Sequence, residues 1–79
     1  MDAVLDYLEA AGAEFIICKK DLSMLRSYVI FDVSPLDYTE ADGVADALRS
    51  RYETISADIC WKNGRAYLVW ICHLSMLRI

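Results

Sequence analysis

The chain has 79 residues, of which 57% are hydrophobic and 25% are charged, and its 12 acidic and 8 basic residues give a net charge of −4. A chain of this length builds only one small core, so its size excludes a large enzyme fold and predicts a single domain over residues 1–79. Because nucleic-acid binding requires a basic surface, the acidic balance also disfavours direct binding to DNA or RNA.

The longest uninterrupted apolar run, residues 66–72, has seven residues, far fewer than the roughly 20 that cross a bilayer. At the amino terminus, Asp2 and Asp6 stand where a secretion signal would place basic residues. We therefore expect no membrane span and no signal peptide. These features predict a cytoplasmic protein.

The first half of the chain predicts one helix followed by two strands. Apolar residues recur at helical spacing over residues 2–11, and Gly12 can supply the left-handed residue that ends a helix. Residues 14–20 and 27–34 are rich in aromatic and β-branched side chains, which favour strands. The apolar residues 21–26 are either a separate connection or a backward extension of the second strand.

A second helix is predicted over residues 40–52. Pro35 lacks a backbone donor and ends the preceding strand. Residues 39–42, Thr-Glu-Ala-Asp, have the form of a capping box at a helix amino terminus. The inward-facing stripe of this helix is expected to consist of Ala41, Val44, Ala45, Leu48 and Tyr52.

The last third of the chain predicts a β-hairpin. Apolar and polar residues alternate over residues 54–62, and Asn63-Gly64 is a dipeptide that favours a type I′ turn, so the chain should return antiparallel from Arg65 to about Leu74. A two-residue turn fixes the register and therefore the facing residues. The expected pairs are Lys62 with Arg65, Trp61 with Ala66, Ile59 with Leu68, Ala57 with Trp70 and Ile55 with Cys72, the apolar ones forming the core face.

The element order αββαββ predicts an α+β fold, a four-stranded antiparallel sheet with both helices on one face. The strand order does not follow from the sequence. The second face would carry Tyr67, Val69 and Ile71 of the hairpin together with Tyr28 and Ile30. This apolar surface is an exposed patch if the helices cover only the other side, or a buried one if a helix covers it.

One pentapeptide, Leu-Ser-Met-Leu-Arg, occurs twice, at residues 22–26 and 74–78. Each copy follows closely after an Ile-Cys pair, but the spacers differ. Repeat architectures need at least about three units to stabilise one another. We therefore interpret the two copies as chance or as duplication of a fragment rather than as a functional repeat.

No group of residues predicts catalysis. In the expected hairpin register His73 lies roughly 20 Å from Cys60, and Cys72 points to the opposite face from His73. An odd number of cysteines without Cys-x-x-Cys spacing predicts that Cys18, Cys60 and Cys72 are free, buried thiols. Among the carboxylates, Asp32, in an otherwise apolar strand, is the strongest candidate acid or base, but its outward position predicts a solvated side chain. We expect a non-enzymatic protein without a cofactor or a metal.

Acidic residues are concentrated in the first half of the sequence. Residues 1–46 hold ten acids and three bases, whereas residues 47–79 have a net charge of +3. Acids near the start of the second helix cap it and complement its macrodipole. They also predict an acidic surface that binds a basic groove on a partner. The predicted partner-binding residues are Asp32, Asp37, Glu40, Asp42 and Asp46.

In its small size, acidity and element order, the chain resembles the phage-encoded anti-CRISPR proteins, particularly inhibitors of type I surveillance complexes. The resemblance rests on overall character and on no motif. It implies a DNA-mimicking inhibitor that covers a basic nucleic-acid-binding surface, such as the DNA-binding or PAM-reading surface of a Cas subunit. The alternative function is a structural or regulatory homodimer that uses the apolar sheet face or residues 74–79, so the chain is expected to be either a monomer or a homodimer.

Overall fold

The computed structural model describes residues 3–77 and has the predicted α+β fold. The strands form one antiparallel sheet in the order β1-β2-β4-β3, which makes β2 and β4 the central strands. The predicted first residue of the first helix, Asp2, lies outside the described residues. The elements are α1 (Ala3–Ala10), β1 (Glu14–Asp21), β2 (Arg26–Asp32), α2 (Tyr38–Arg51), β3 (Ser56–Lys62), β4 (Arg65–His73) and a short 3₁₀ helix (Leu74–Met76).

Gly12 ends α1 as the sequence predicted, with a φ of +101°. The Ala13 amide donates to the Leu8 carbonyl and the Gly12 amide to the Glu9 carbonyl, both at 3.0 Å. These two hydrogen bonds are those of a Schellman motif, in which a glycine takes the positive φ. A Cβ at Gly12 would lie 2.8 Å from Leu36 Cδ2, so the absence of a side chain also lets the loop before α2 pack closely.

Residues 22–25, which connect β1 and β2, form a turn and do not extend β2 backwards. Asp21 Oδ1 accepts hydrogen bonds from the amides of Ser23 and Met24, each at 3.1 Å, and from the Ser23 hydroxyl at 2.7 Å. Aspartate commonly stabilises turns in this way. Leu25 completes the turn with a φ of +56°, and β2 begins at Arg26.

The two copies of the repeated pentapeptide lie beside each other at one end of the sheet. The first copy forms the β1–β2 turn, and the Leu74 amide at the start of the second copy donates to the Leu25 carbonyl at 3.1 Å. The first copy is mostly exposed, whereas the second forms the 3₁₀ helix and buries Leu77. Arg78 of the second copy lies outside the described residues. The two copies therefore share a sequence but not a conformation.

α2 begins earlier than predicted, at Tyr38, with Asp37 as its N-cap. The Glu40 amide donates to Asp37 Oδ1 at 2.7 Å and the Asp37 amide donates to Glu40 Oε1 at 3.1 Å, which makes a capping box. The predicted box at residues 39–42 is therefore wrong by two residues. Both segments have a capping residue followed three positions later by an acid, and the preceding turn at Leu36 places Asp37 rather than Thr39 at the helix start.

The β3–β4 hairpin has the predicted register. Asn63 and Gly64 have φ values of +52° and +77°, the two positive angles of a type I′ turn. The confirmed pairs are Lys62 with Arg65, Trp61 with Ala66, Ile59 with Leu68 and Ala57 with Trp70. A two-residue turn fixes this register locally, without help from the rest of the fold.

Two side chains predicted to face the core are exposed instead. Ile55 precedes β3 and is 51% exposed; its amide donates to the Ile71 carbonyl at 2.9 Å, and it does not pair with Cys72 as predicted. Trp61 has the predicted partner, Ala66, but is 61% exposed. Trp61 stands beside the turn at the tip of the hairpin, beyond the cover of the helices.

Both helices pack on the same face of the sheet and share one core with it. Within residues 3–77, neither helix is long and apolar enough to span a membrane. Trp70 of β4 is fully buried at the centre of this core, where its indole Nε1 donates to Thr54 Oγ1 at 2.9 Å. The fully buried side chains around it include Leu8, Val29, Phe31, Leu48 and Leu68.

Candidate functional site

The face of the sheet opposite the helices is open to solvent and apolar at its centre; we call it the open face. The register sets Tyr28 and Ile30 of β2 beside Ile71 and Val69 of β4, with Tyr67 next along β4. All five side chains are half-buried, and none belongs to the core or packs against it. Of the two arrangements that the sequence left open, the structure therefore has the uncovered one.

β1 extends the apolar surface to one edge of the open face. A register shift between Phe15 and Ile17 lets Phe15 pack edge-to-face on Phe31 in the core, with ring centroids 5.9 Å apart, while Ile17 pairs with Ile30. Ile16 and Ile17 are 47% and 40% exposed. Strict alternation would have put only one of these two isoleucines outside, and the irregularity places both there.

An open groove of about 520 Å³ lies at the hairpin end of the open face. Its volume is in the range of ligand-binding clefts. The groove is continuous with the apolar centre, however, and shares its side chains. It is therefore a part of the open face rather than a separate site. It is lined by Ile16, Ile30, Cys60, Lys62, Asn63, Arg65, Tyr67 and Val69.

Charged side chains of both signs surround the apolar centre of the open face. Strand pairing places four acids and four bases on this side of the sheet, so the charges balance. An apolar centre with a polar rim is the usual anatomy of a protein–protein interface. The acids are Glu14, Asp21, Asp32 and Asp58, and the bases are Lys19, Arg26, Lys62 and Arg65.

Asp32 is not the solvated carboxylate that the sequence predicted. It is 4% exposed, and Arg65 forms an ion pair with it through Nη2 and donates from Nε to Oδ2 at 3.1 Å. The Ser34 amide donates to Oδ1 at 2.8 Å. These hydrogen bonds, from Arg65 first and then from Ser34, lower the pKa of Asp32 to about 2. The sequence could not reveal this pair, because its members are 33 residues apart.

We expect Asp32 to make the stability of the fold sensitive to strong acid. Its pKa in the folded protein, about 2, lies below the ordinary value of about 3.9. The ion pair therefore contributes fully above pH ~4, and its contribution is lost as the pH falls through about 2. As the pH is lowered from about 4 to about 2, the free energy of unfolding measured with urea should decrease less in Arg65→Gln than in the wild type. Equal losses in the two proteins would contradict this prediction.

The other four predicted partner-binding residues lie on the opposite side of the molecule from the open face. Asp37, Glu40, Asp42 and Asp46 are all exposed along α2. Asp37 and Glu40 form the capping box, and Asp46 forms an ion pair with Arg49. Asp42 forms no ion pair within the described residues. The structure thus gathers these four acids on one helix, and it separates them from Asp32.

α1, Asp37 and α2, residues 3–10 and 37–51, form what we call the helical layer. Its six acids and two arginines are all exposed and give it a net charge of −4. The open face, by contrast, is electrically balanced. The protein therefore has one acidic side and one apolar, neutral side. The charged residues of the helical layer are Asp6, Glu9, Asp37, Glu40, Asp42, Asp46, Arg49 and Arg51.

The thiols and the histidine are not brought together. Cys60 lies opposite Tyr67, as predicted, while His73 lies at the other end of β4. Cys72 is buried, but Cys60 is exposed, which corrects the expectation that all three thiols are buried. Burial raises the pKa of the half-buried Cys18 thiol and so lowers its reactivity. Among residues 3–77, no three His, Cys, Asp or Glu side chains are grouped so as to hold a metal ion.

The molecule thus offers two surfaces of contrasting chemistry, the open face and the helical layer. The sequence predicted the residues of both, but it did not establish that the open face is uncovered, because that depends on where the helices pack. Neither a protein-family model, nor a curated protein, nor a solved structure matches this chain.

Proposed function

We propose that the chain is a non-enzymatic binding protein that works as a homodimer, in which two open faces pack together and the two helical layers face outward. The observation that supports this proposal best is the uncovered apolar centre of the open face, formed by Tyr28, Ile30, Tyr67, Val69 and Ile71. Apolar patches of this kind on small proteins commonly mark interaction surfaces.

Packing a second sheet on the open face would remove these side chains from water. Burial contributes about 25 cal/mol for each Å² of apolar surface. Two sheets that pack face to face lie about 10 Å apart and interdigitate their inward-facing side chains. The half-buried tyrosines, isoleucines and valine of the open face are the large side chains that such a packing requires.

The distribution of charge favours a second copy of the chain as the partner. Two open faces, each with four acids and four bases, meet without net repulsion. Two helical layers, each with a net charge of −4, would repel each other. A strongly cationic partner would be attracted to the helical layer rather than to the balanced open face. The open face is therefore the surface on which this chain can associate with itself.

The dimensions of the open face indicate how strong a dimer to expect. Four strands about 4.8 Å apart and seven residues at about 3.4 Å each span roughly 19 by 24 Å. A face of this size is at the small end of specific protein interfaces. We therefore expect a reversible dimer that dissociates at micromolar rather than nanomolar concentration.

Sedimentation velocity over a concentration series tests the dimer directly. We expect the mean sedimentation coefficient to rise from the monomer value to the dimer value as the concentration increases from about 1 µM to about 500 µM, a range that brackets an interface of this size. A monomer throughout this range would contradict the proposal.

The acidic helical layer favours a second candidate function, an inhibitor that covers the basic nucleic-acid-binding surface of another protein. This is the role implied by the resemblance to anti-CRISPR proteins, with a Cas subunit of a type I surveillance complex as the partner. The supporting observation is the exposed net charge of −4 on residues 3–10 and 37–51. The two functions are compatible, because a dimer joined by its open faces presents two helical layers to solvent.

Asp42 is the residue with which to test this inhibitor, since it is exposed and belongs neither to the capping box nor to an ion pair of the described residues. In a DNA-binding assay with a purified type I surveillance complex, we expect the wild type to inhibit and Asp42→Lys to inhibit about fivefold less well, as reversal of a contacting charge does. Glu53→Lys, with the same change in charge outside the helical layer, should inhibit like the wild type. If the wild type does not inhibit, this candidate is rejected.

A further inference from the structure

We infer that the turn between β1 and β2, residues 22–25, inserts into the surface of an anionic lipid bilayer. The turn lies at one end of the sheet, outside the open face. The inference therefore goes beyond the proposed homodimer and does not depend on it. It rests on exposed aliphatic side chains in the turn and on the bases that flank them.

The turn exposes three aliphatic side chains within four residues. Leu22 is 74% exposed, Met24 55% and Leu25 52%. Eight large hydrophobic side chains are exposed in the part of the chain that the structure describes, and three of them lie in this one turn. The second copy of the repeated pentapeptide lies beside the turn and adds the half-buried Leu74 and Met76. This end of the sheet therefore has an apolar tip.

Basic side chains flank the apolar tip on both strands. Lys19 and Lys20 precede the turn and are exposed, and Arg26 follows it. These are the three bases of residues 1–46. Asp21, the acid between them, lies opposite Arg26 in the strand pairing, which offsets its charge. Aliphatic side chains beside Lys and Arg are the combination that binds anionic membrane surfaces.

The backbone of the turn has partners within the protein. A segment that enters a bilayer leaves water, so its polar backbone groups need internal hydrogen bonds. Asp21 Oδ1 accepts from the amides of Ser23 and Met24, each at 3.1 Å. The Leu25 carbonyl accepts from the Leu74 amide at 3.1 Å. The turn can therefore leave water without losing these bonds.

Charge is distributed unequally between the two ends of the molecule. The end at the β1–β2 turn has four bases and three acids, whereas the end at the β3–β4 turn has two bases and six acids. The charged residues of the first end are Lys19, Lys20, Arg26, Arg51, Asp6, Asp21 and Glu53, and those of the second are Lys62, Arg65, Glu9, Glu14, Asp32, Asp37, Glu40 and Asp42.

This distribution lets the turn approach an anionic surface although the chain has a net charge of −4. β1 has eight residues, which at about 3.4 Å each separate the two ends by roughly 25 Å. Charges are largely screened beyond about 8 Å at physiological ionic strength. The acids of the far end therefore repel the membrane only weakly.

The small size of the tip favours a bilayer over a protein as its partner. A standard protein interface takes about 20–30 residues from each side, far more than a turn of four residues supplies. A bilayer requires no complementary shape, and its binding strength increases with the apolar area inserted and with each nearby base. We expect weak, reversible binding that decreases with salt.

Flotation with lipid vesicles tests the inference. We expect the wild type to bind vesicles with about one third phosphatidylglycerol, to be released at about 0.5 M salt, and not to bind vesicles of phosphatidylcholine alone. Leu22→Ser should bind about tenfold more weakly, because it removes an inserted aliphatic side chain. Lys19→Gln should bind about fivefold more weakly, because it removes one base near the anionic surface.

Matched controls lie at the opposite end of the molecule. Trp61→Ser removes an exposed apolar side chain and Lys62→Gln an exposed base beside the β3–β4 turn, and both should bind like the wild type. Circular dichroism would confirm that all four variants are folded. Equal binding to phosphatidylcholine vesicles, or equal weakening by the controls, would overturn the inference. So would a wild type that binds no vesicles, which would leave a protein as the partner of the turn.

Discussion

Ile71→Lys is expected to convert the homodimer to a folded monomer. Ile71 lies on the central strand β4, half-buried on the open face and beside Tyr28. In the dimer, a lysine there would place its charge against the partner's apolar side chains, where burial of an unpaired charge costs several kcal/mol. The dissociation constant should therefore rise by at least about 100-fold.

The fold itself should tolerate Ile71→Lys, because a lysine on the open face of the monomer can extend its amine into water. Circular dichroism and thermal unfolding would show this directly. The matched control is Ser50→Lys, which makes the same change in charge at an exposed position of α2. We expect Ser50→Lys to dimerise like the wild type. A dimer of unchanged strength in Ile71→Lys would mean that the open face is not the interface.

Trp70→Ala is expected to remove most of the free energy of unfolding. Trp70 is fully buried, its ring packs against Tyr52 with centroids 6.1 Å apart, and its indole bonds to Thr54. Replacing a buried aromatic side chain of this size by alanine costs about 3–5 kcal/mol. A domain of this length has a free energy of unfolding near the lower end of about 5–15 kcal/mol, so the variant should retain little stability.

The second tryptophan provides a matched control for Trp70→Ala. Trp61 is 61% exposed beside the hairpin turn, and its replacement by alanine should change the free energy of unfolding by no more than about 0.5 kcal/mol. Urea unfolding followed by far-ultraviolet circular dichroism measures both variants without relying on tryptophan fluorescence. Similar losses of stability in the two variants would contradict the placement of Trp70 at the centre of the core.

Local features of the fold could be predicted well because neighbouring residues determine them. A glycine ends α1, and the Asn63-Gly64 turn fixes the register from Lys62–Arg65 to Ala57–Trp70. The prediction of the start of α2 was less accurate, because two overlapping segments each have the pattern of a capping box. The capping box lies at Asp37 and Glu40 rather than two residues later, since the turn at Leu36 sets where the helix begins.

The sequence predicted which residues belong to the candidate site, but not how the fold arranges them. Alternation along β2 and β4 already predicted that Tyr28, Ile30, Tyr67, Val69 and Ile71 share one face. The acids of α2 were likewise evident, but their grouping with Asp32 was not correct. Separating Asp32 from the acids of α2 required knowing that β2 pairs with β4. This pairing buries Asp32 beside Arg65, on the side of the sheet opposite α2.

By itself, the sequence determined the class and order of the elements, the hairpin register and the inward stripe of α2, because turn chemistry and side-chain periodicity act over a few residues. Only the tertiary structure decided the strand order, the exposure of Ile55 and Trp61, the pairing of Asp32 with Arg65 and the open apolar face. These features depend on contacts between residues far apart in the chain and on which face of the sheet two short helices can cover. No local pattern encodes that choice.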